Sequence, residues 1–122
     1  MEIDMPDSTT KIFHNPRCSK SRAALALLNE KEIEVDIIKY LETPPDREAL
    51  EEILNQLGLQ PRELMRKGEL AYKENNLSDD SLTRDQLIDA LLEYPKLIER
   101  PIVVANGKAA IGRPIENIID IL

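Results

Sequence analysis

The chain has 122 residues, 42% of them hydrophobic, which lets one small domain bury a core without staples. With 23 acidic against 16 basic residues the net charge is −7, which disfavours nucleic acid and anionic membrane surfaces, since both need a concentrated basic face. One cysteine and one histidine permit neither an internal disulfide nor a Cys-rich zinc site, and any redox chemistry needs an outside thiol; the expectation is a protein with no metal and no bound cofactor.

Residues 1–9 are polar, aperiodic and contain Pro6, and read as a flexible extension. The opening "MEIDMPDSTT" lacks the basic-then-apolar order of a signal peptide, and no apolar run approaches the roughly 18 residues of a membrane span, so the expectation is a cytoplasmic protein. The rest, 10–122, reads as a single domain. Thr10 to His14 is a short strand broken by Asn15-Pro16. From about Ser19 a helix follows, with Ala24, Leu27 and Leu28 on its buried face and Ser19 or Cys18 near the N-cap. "EVDIIKY" gives a second strand at about 34–40, and the βαβ crossover makes the two strands parallel.

A helical block spans about 43–95. It opens with Thr43 and two prolines ahead of the stripe Leu50, Ile53, Leu54, Leu57 and a stop at Gly58. One or two short helical pieces over 61–77 come next, then a helix with the capping box Thr83-x-x-Gln86. "PIVVA", Asn106-Gly107 and "KAAIG" form a hairpin with a two-residue turn, and a last helix starts near Pro114. The order β-α-β, helical insertion, β-β-α is that of a thioredoxin-like α/β fold with a mixed sheet. No heptad or apolar surface stripe stands out, so the expected state is a monomer.

The chemistry concentrates in "HNPRCSKSR". A cysteine in a strand-to-helix loop faces unpaired N–H groups at the positive end of a helix dipole, which favours thiolate over thiol. Arg17, Lys20, Arg22 and His14 add positive charge, and the Ser21 hydroxyl lies one turn on, within reach of the sulfur. A free cysteine is more often a small buried hydrophobe, but the polar, basic neighbours here point to a nucleophile. His14 could position the loop, supply charge, or simply end its strand. Lys20 and Arg22 could equally be a solvated first turn.

If Asn106-Gly107 is a type I′ turn, residues whose numbers sum to 213 pair across the hairpin, which sets Arg100 opposite Arg113. Like charges directly opposed destabilise a ladder unless an anion sits between them or the ladder ends first. A strand antiparallel to the first starts where the first one ends, so the hairpin's open end points at Cys18. Both arginines precede proline and so sit in extended backbone. A thiolate beside paired guanidiniums describes an oxyanion site.

The stretches "HNPRCSKSR", "ELMRKGE", "LIERPIVV" and "IGRP" resemble the glutaredoxin-coupled arsenate reductases, the ArsC family, from about residue 11 to the end. The resemblance implies that Cys18 is the nucleophile, that His14 and Ser21 tune it, and that Arg66, Arg100 and Arg113 bind the oxyanion. It places Pro101 where thioredoxin-like folds carry a cis proline. It also implies arsenate as substrate, glutathione as co-substrate and glutaredoxin as partner. Where better-studied members carry small uncharged residues, this chain has Arg17, Ser19 and Lys20. A glutathione-dependent thiol-disulfide reductase on the same scaffold is a second reading. A third is a regulator like the Spx proteins, which bind RNA polymerase but usually carry Cys-x-x-Cys, where this chain has Ser21.

Overall fold

A computed structural model describes residues 10–122, so the extension read over 1–9 lies outside the described residues. Along the chain run β1 (Thr10–Phe13), α1 (Ser19–Glu30), β2 (Val35–Ile38), α2 (Arg47–Leu57), α3 (Leu70–Glu74), α4 (Arg84–Glu93), β3 (Ile102–Ala105), β4 (Lys108–Ile111) and α5 (Glu116–Ile119). Single 3-10 turns at Pro61–Leu64 and Pro95–Leu97 flank the middle helices. Two compact units emerge, a sheet unit of residues 10–39 with Arg100–Leu122, and a helical unit, Tyr40–Glu99.

In the sheet unit the strand order is β2-β1-β3-β4. β1 runs parallel to β2, with Ile12 beside Ile37, and antiparallel to β3, with Phe13 beside Ile102. This mixed sheet with its helices is thioredoxin-like. β3 and β4 pair as Ala105–Lys108 out to Ile102–Ile111. That is the 213 register, and it follows from the turn: Asn106 and Gly107 both take positive φ, 56° and 75°, as a type I′ turn demands. Ile12, Ala24, Leu28, Val103 and Ile118 form a fully buried cluster that joins α1, the sheet and α5. Each of its Ile, Leu and Val side chains contributes about 1.5–3 kcal/mol on burial.

Several boundaries differ from the sequence reading, each for a local reason. β1 ends at Phe13, yet His14 still donates its N–H to Ile38 O at 2.8 Å. β2 covers only Val35–Ile38. On α1 the buried set is Ser21, Ala24 and Leu28, so the inner face is rotated toward Ser21, and Leu27 is half-buried. α2 starts at Arg47 because Pro44 and Pro45 keep the residues before them extended. Asp46 then caps it, its Oδ1 accepting from Ala49 N–H at 2.8 Å. α5 begins at Glu116 rather than at Pro114.

The helical unit buries Leu50, Ile53 and Leu54 of α2 and Leu87, Ile88 and Leu91 of α4. The Thr83–Gln86 capping box forms, and α2 ends on Gly58 at φ 70°. Arg47 reaches Asp85 and Asp89, and Arg84 reaches Glu51, but these exposed pairs add little beyond the apolar packing. Met65 and Ile98 make an isolated antiparallel bridge, and Arg66 N–H donates to Leu97 O at 2.7 Å. Among the described residues no helix is long and apolar enough to cross a membrane.

Gly112 follows β4, and a Cβ built there would meet Ile118 Cδ1 at 2.7 Å and Pro101 Cγ at 2.9 Å. The proline ring cannot swing aside as a flexible side chain can. Gly112→Ala should therefore lower the unfolding free energy by about 1–3 kcal/mol in urea melts. Gly68→Ala, whose Cβ meets nothing within 4 Å, should leave it unchanged or raise it by up to about 1 kcal/mol. Equal effects from the two substitutions would contradict the packing at Gly112.

Candidate active site

Cys18 sits at the junction of β1 and α1, shaped by a turn that Asn15 and Pro16 initiate. Cys18 N–H donates to Asn15 O at 3.0 Å, and Arg17 N–H donates to Asn15 Oδ1 at 3.0 Å. Arg22, one turn into α1, reaches back so that Nη1 donates to Pro16 O at 2.9 Å and straps the loop. Cys18 itself is the N-cap residue in extended conformation, with no side-chain capping hydrogen bond, so the first N–H groups of α1 are left facing its sulfur.

Only 8% of Cys18 is exposed, and burial by itself pushes a thiol pKa up. The backbone N–H groups of Ser21 and Lys20 and the nearby Arg100 guanidinium outweigh that burial, and the pKa lies below its ordinary value. The sulfur is thus buried in a polar setting that favours the nucleophilic form.

His14 and Ser21 form a pair behind the loop. Nδ1 of the buried ring lies 2.6 Å from Ser21 Oγ, which also accepts from Asn15 N–H at 3.0 Å. Burial, then the charges of Lys39 and Arg22, push the His14 pKa below its usual value, so the ring is neutral near pH 7. The sequence offered the Ser21 hydroxyl as a donor to sulfur. In the structure its contacts are with His14 and Asn15, and Ser21 acts on the sulfur through its backbone N–H.

The arginines arrive from the hairpin. One step beyond the ladder, Gly112 N–H donates to Pro101 O at 2.9 Å, which carries the 213 register outward to Arg100 and Arg113. The Arg113 side chain turns so that Nε donates to Arg100 O at 2.7 Å while Nη2 stands 3.5 Å from Cys18 Sγ. Nε and Nη1 of Arg100 are buried with no hydrogen-bond partner among the described residues. The Arg100–Pro101 and Arg113–Pro114 peptides are both cis. Such an arrangement can ionise a thiol and offer unfilled guanidinium donors beside it, as an oxyanion requires.

Of the six residues singled out in the sequence, His14, Cys18, Ser21, Arg100 and Arg113 form one group in the sheet unit. Arg66 belongs to the helical unit, where its guanidinium pairs with Glu69 and lies 4.0 Å from Glu99. The sequence reading missed the part played by Asn15, whose carbonyl, amide oxygen and N–H all shape the loop. The Asn-Pro pair was the available signal, as a turn initiator rather than only a strand breaker. Arg17 and Lys20 are exposed.

The profile of the ArsC family matches residues 13–121. The arsenate reductase of Neisseria meningitidis serogroup A is 56% identical over 113 residues, 92% of this chain and 97% of that protein. YfgD of Escherichia coli K12, an uncharacterised protein, is also 56% identical over 113 residues, 92% of this chain and 95% of its own length. The solved structure of the arsenate reductase from Vibrio cholerae superposes with a TM-score of 0.91 at 52% identity, covering 94% of this chain and 98% of that one.

Iodoacetamide labelling of Cys18 against pH should give a midpoint below that of an ordinary thiol, with reactivity lost as the pH falls through the folded pKa. Because the folded value lies below the unfolded one, the stability gained from the thiolate is lost over that same descent. Arg100→Met should move the midpoint upward, since a lowering charge is removed while the apolar stem stays. An unmoved midpoint would show that Arg100 does not act on the sulfur.

Proposed function

The chain belongs to the ArsC family, and on that premise we propose that it is an arsenate reductase in which the Cys18 thiolate is the nucleophile and glutathione and glutaredoxin supply the electrons. The observation that carries the proposal is a sulfur held toward the thiolate, 3.5 Å from Arg113 Nη2, beside an Arg100 guanidinium with buried, unpartnered donors. Arsenate would take up those donors through its oxygens, which neutralises its charge and brings arsenic within reach of Sγ.

The chemistry then runs in four steps. Sγ forms a bond to arsenic and one arsenate oxygen, once protonated, leaves as water, giving a Cys18–S–As(V) adduct. The glutathione thiol displaces a second oxygen as water, so that arsenic carries both sulfurs. A glutaredoxin thiolate attacks the glutathione sulfur, and the electron pair of the As–S bond passes to arsenic. Arsenic is reduced to As(III), the glutaredoxin–glutathione mixed disulfide departs, and water releases arsenite from Cys18. Arg100 and Arg113 stabilise the negative charge that builds on the oxygens. The neutral His14–Ser21 pair holds the loop so that the α1 N–H groups keep facing the sulfur. Arg66 keeps the oxyanion-binding role that the family resemblance gives it, and that role rests on the resemblance alone.

Purified protein with arsenate, glutathione, glutaredoxin and a system that regenerates reduced glutathione should form arsenite, and omission of either thiol component should stop it. Cys18→Ser should abolish turnover. Arg113→Lys should lower kcat/KM by about tenfold to a hundredfold, since a point charge replaces a fork that contacts both the Arg100 carbonyl and the site. No arsenite from the wild type under these conditions would refute the proposal.

A further inference from the structure

Beside the thiol site the sheet unit holds a cavity of about 450 Å³ that the steps above leave without an occupant. Lys20 from the first turn of α1 lines it, as do Gly112 and Arg113 after β4 and the segment Pro114, Ile115 and Glu116 that enters α5. Its size falls in the roughly 300–1,000 Å³ range of small-molecule sites. It shares two residues with the thiol site, because Lys20 N–H faces the sulfur and Arg113 Nη2 stands 3.5 Å from it.

The charges of the lining are specific. Lys20 and Arg113 supply two cations and Glu116 one anion, with Pro114 and Ile115 as apolar wall. Neither Lys20 nor Glu116 has an ion-pair partner among the described residues, so both are free to meet a ligand. A lone inorganic oxyanion would use the cations but be repelled by Glu116. A small peptide carrying two carboxylates and one ammonium uses all three groups.

We infer that this cavity seats the reducing co-substrate, a small peptide thiol with two carboxylates and an α-ammonium, of which glutathione is the type. The carboxylates pair with Lys20 and Arg113, the ammonium with Glu116, and the shared Arg113 sets the ligand next to Cys18. Arg113 thus serves both neighbours, the oxyanion through the face toward sulfur and the peptide thiol through the face that lines the cavity. The inference rests on the proposed reading of glutathione as co-substrate.

The probe is S-methylglutathione, which keeps every charge of glutathione and cannot react. Titrated into isotope-labelled protein, it should shift the amide resonances of Lys20, Gly112, Ile115 and Glu116. Lys20→Glu and Glu116→Lys should each weaken its Kd by about tenfold. Lys20→Gln gives a milder second test, and thermal melts check that each variant folds. Shifts confined to other residues, or a Kd that neither charge reversal changes, would overturn the seat whatever an arsenite assay shows. Sulfate producing the same shifts at the same concentration would also overturn it, by showing a plain anion site. Shifts at the cavity without arsenite formation in the complete assay would leave the seat standing and remove arsenate from the reading.

Discussion

The sheet unit is arranged around one sulfur that replaces the oxygen usually found at the start of a helix. Position 18 is the N-cap of α1, where Ser, Thr, Asp or Asn would accept an N–H and stabilise the chain by about 1 kcal/mol. Cysteine forms no such capping bond, and the N–H groups of Lys20 and Ser21 are left to act on the sulfur instead. The weak cap and the lowered thiol pKa are therefore one feature seen from two sides. Burial at 8% exposure raises the electrostatic stakes, because a charge withdrawn from water must find its stabilisation in these dipoles and in Arg100.

That demand explains why the guanidiniums come from the hairpin. β3 is antiparallel to β1, so its beginning lies where β1 ends, and the residues that precede it are delivered to the cysteine loop. Two arginines at matching positions of a hairpin would repel if both side chains extended in parallel. The structure resolves this by tying Arg113 Nε to the Arg100 carbonyl, which spends one donor on backbone and aims Nη2 at the sulfur. Arg100 keeps Nε and Nη1 buried and unmatched among the described residues, and an unmatched buried donor carries a penalty of about 1–3 kcal/mol, which on the proposed chemistry an arriving oxyanion would remove.

How much of this could be read in advance depends on how local each determinant is. Asn106-Gly107 settles its turn within two residues, and everything out to the opposition of Arg100 and Arg113 follows from counting. The polar setting of Cys18 was legible for the same reason, since a cysteine between a strand and a helix meets N–H groups whatever else the chain does. What escaped were choices among local partners of similar reach. Ser21 could have bonded to sulfur, but a buried histidine 2.6 Å away and the Asn15 N–H hold its hydroxyl. Thr43 and Asp46 are both capping residue types, and only the pair Pro44-Pro45 between them decides for Asp46. Arg66 was assigned by resemblance and not by pattern, and its partners Glu69 and Glu99 lie three and 33 residues along the chain, the second beyond any helical periodicity.

A chain with one cysteine has a further constraint that its geometry answers. No internal thiol can resolve an adduct on Cys18, so on the proposed chemistry each turnover must admit two sulfur nucleophiles from outside to a centre that is itself almost fully buried. Burial protects the thiolate from solvent and strengthens its electrostatics, yet it narrows the approach. The arrangement at Arg113 reconciles the two requirements, because this exposed residue reaches inward to the sulfur with Nη2 while its side chain also forms the wall of an open cavity. On that proposed chemistry the charges that line this cavity, Lys20, Arg113 and Glu116, would select among incoming thiols.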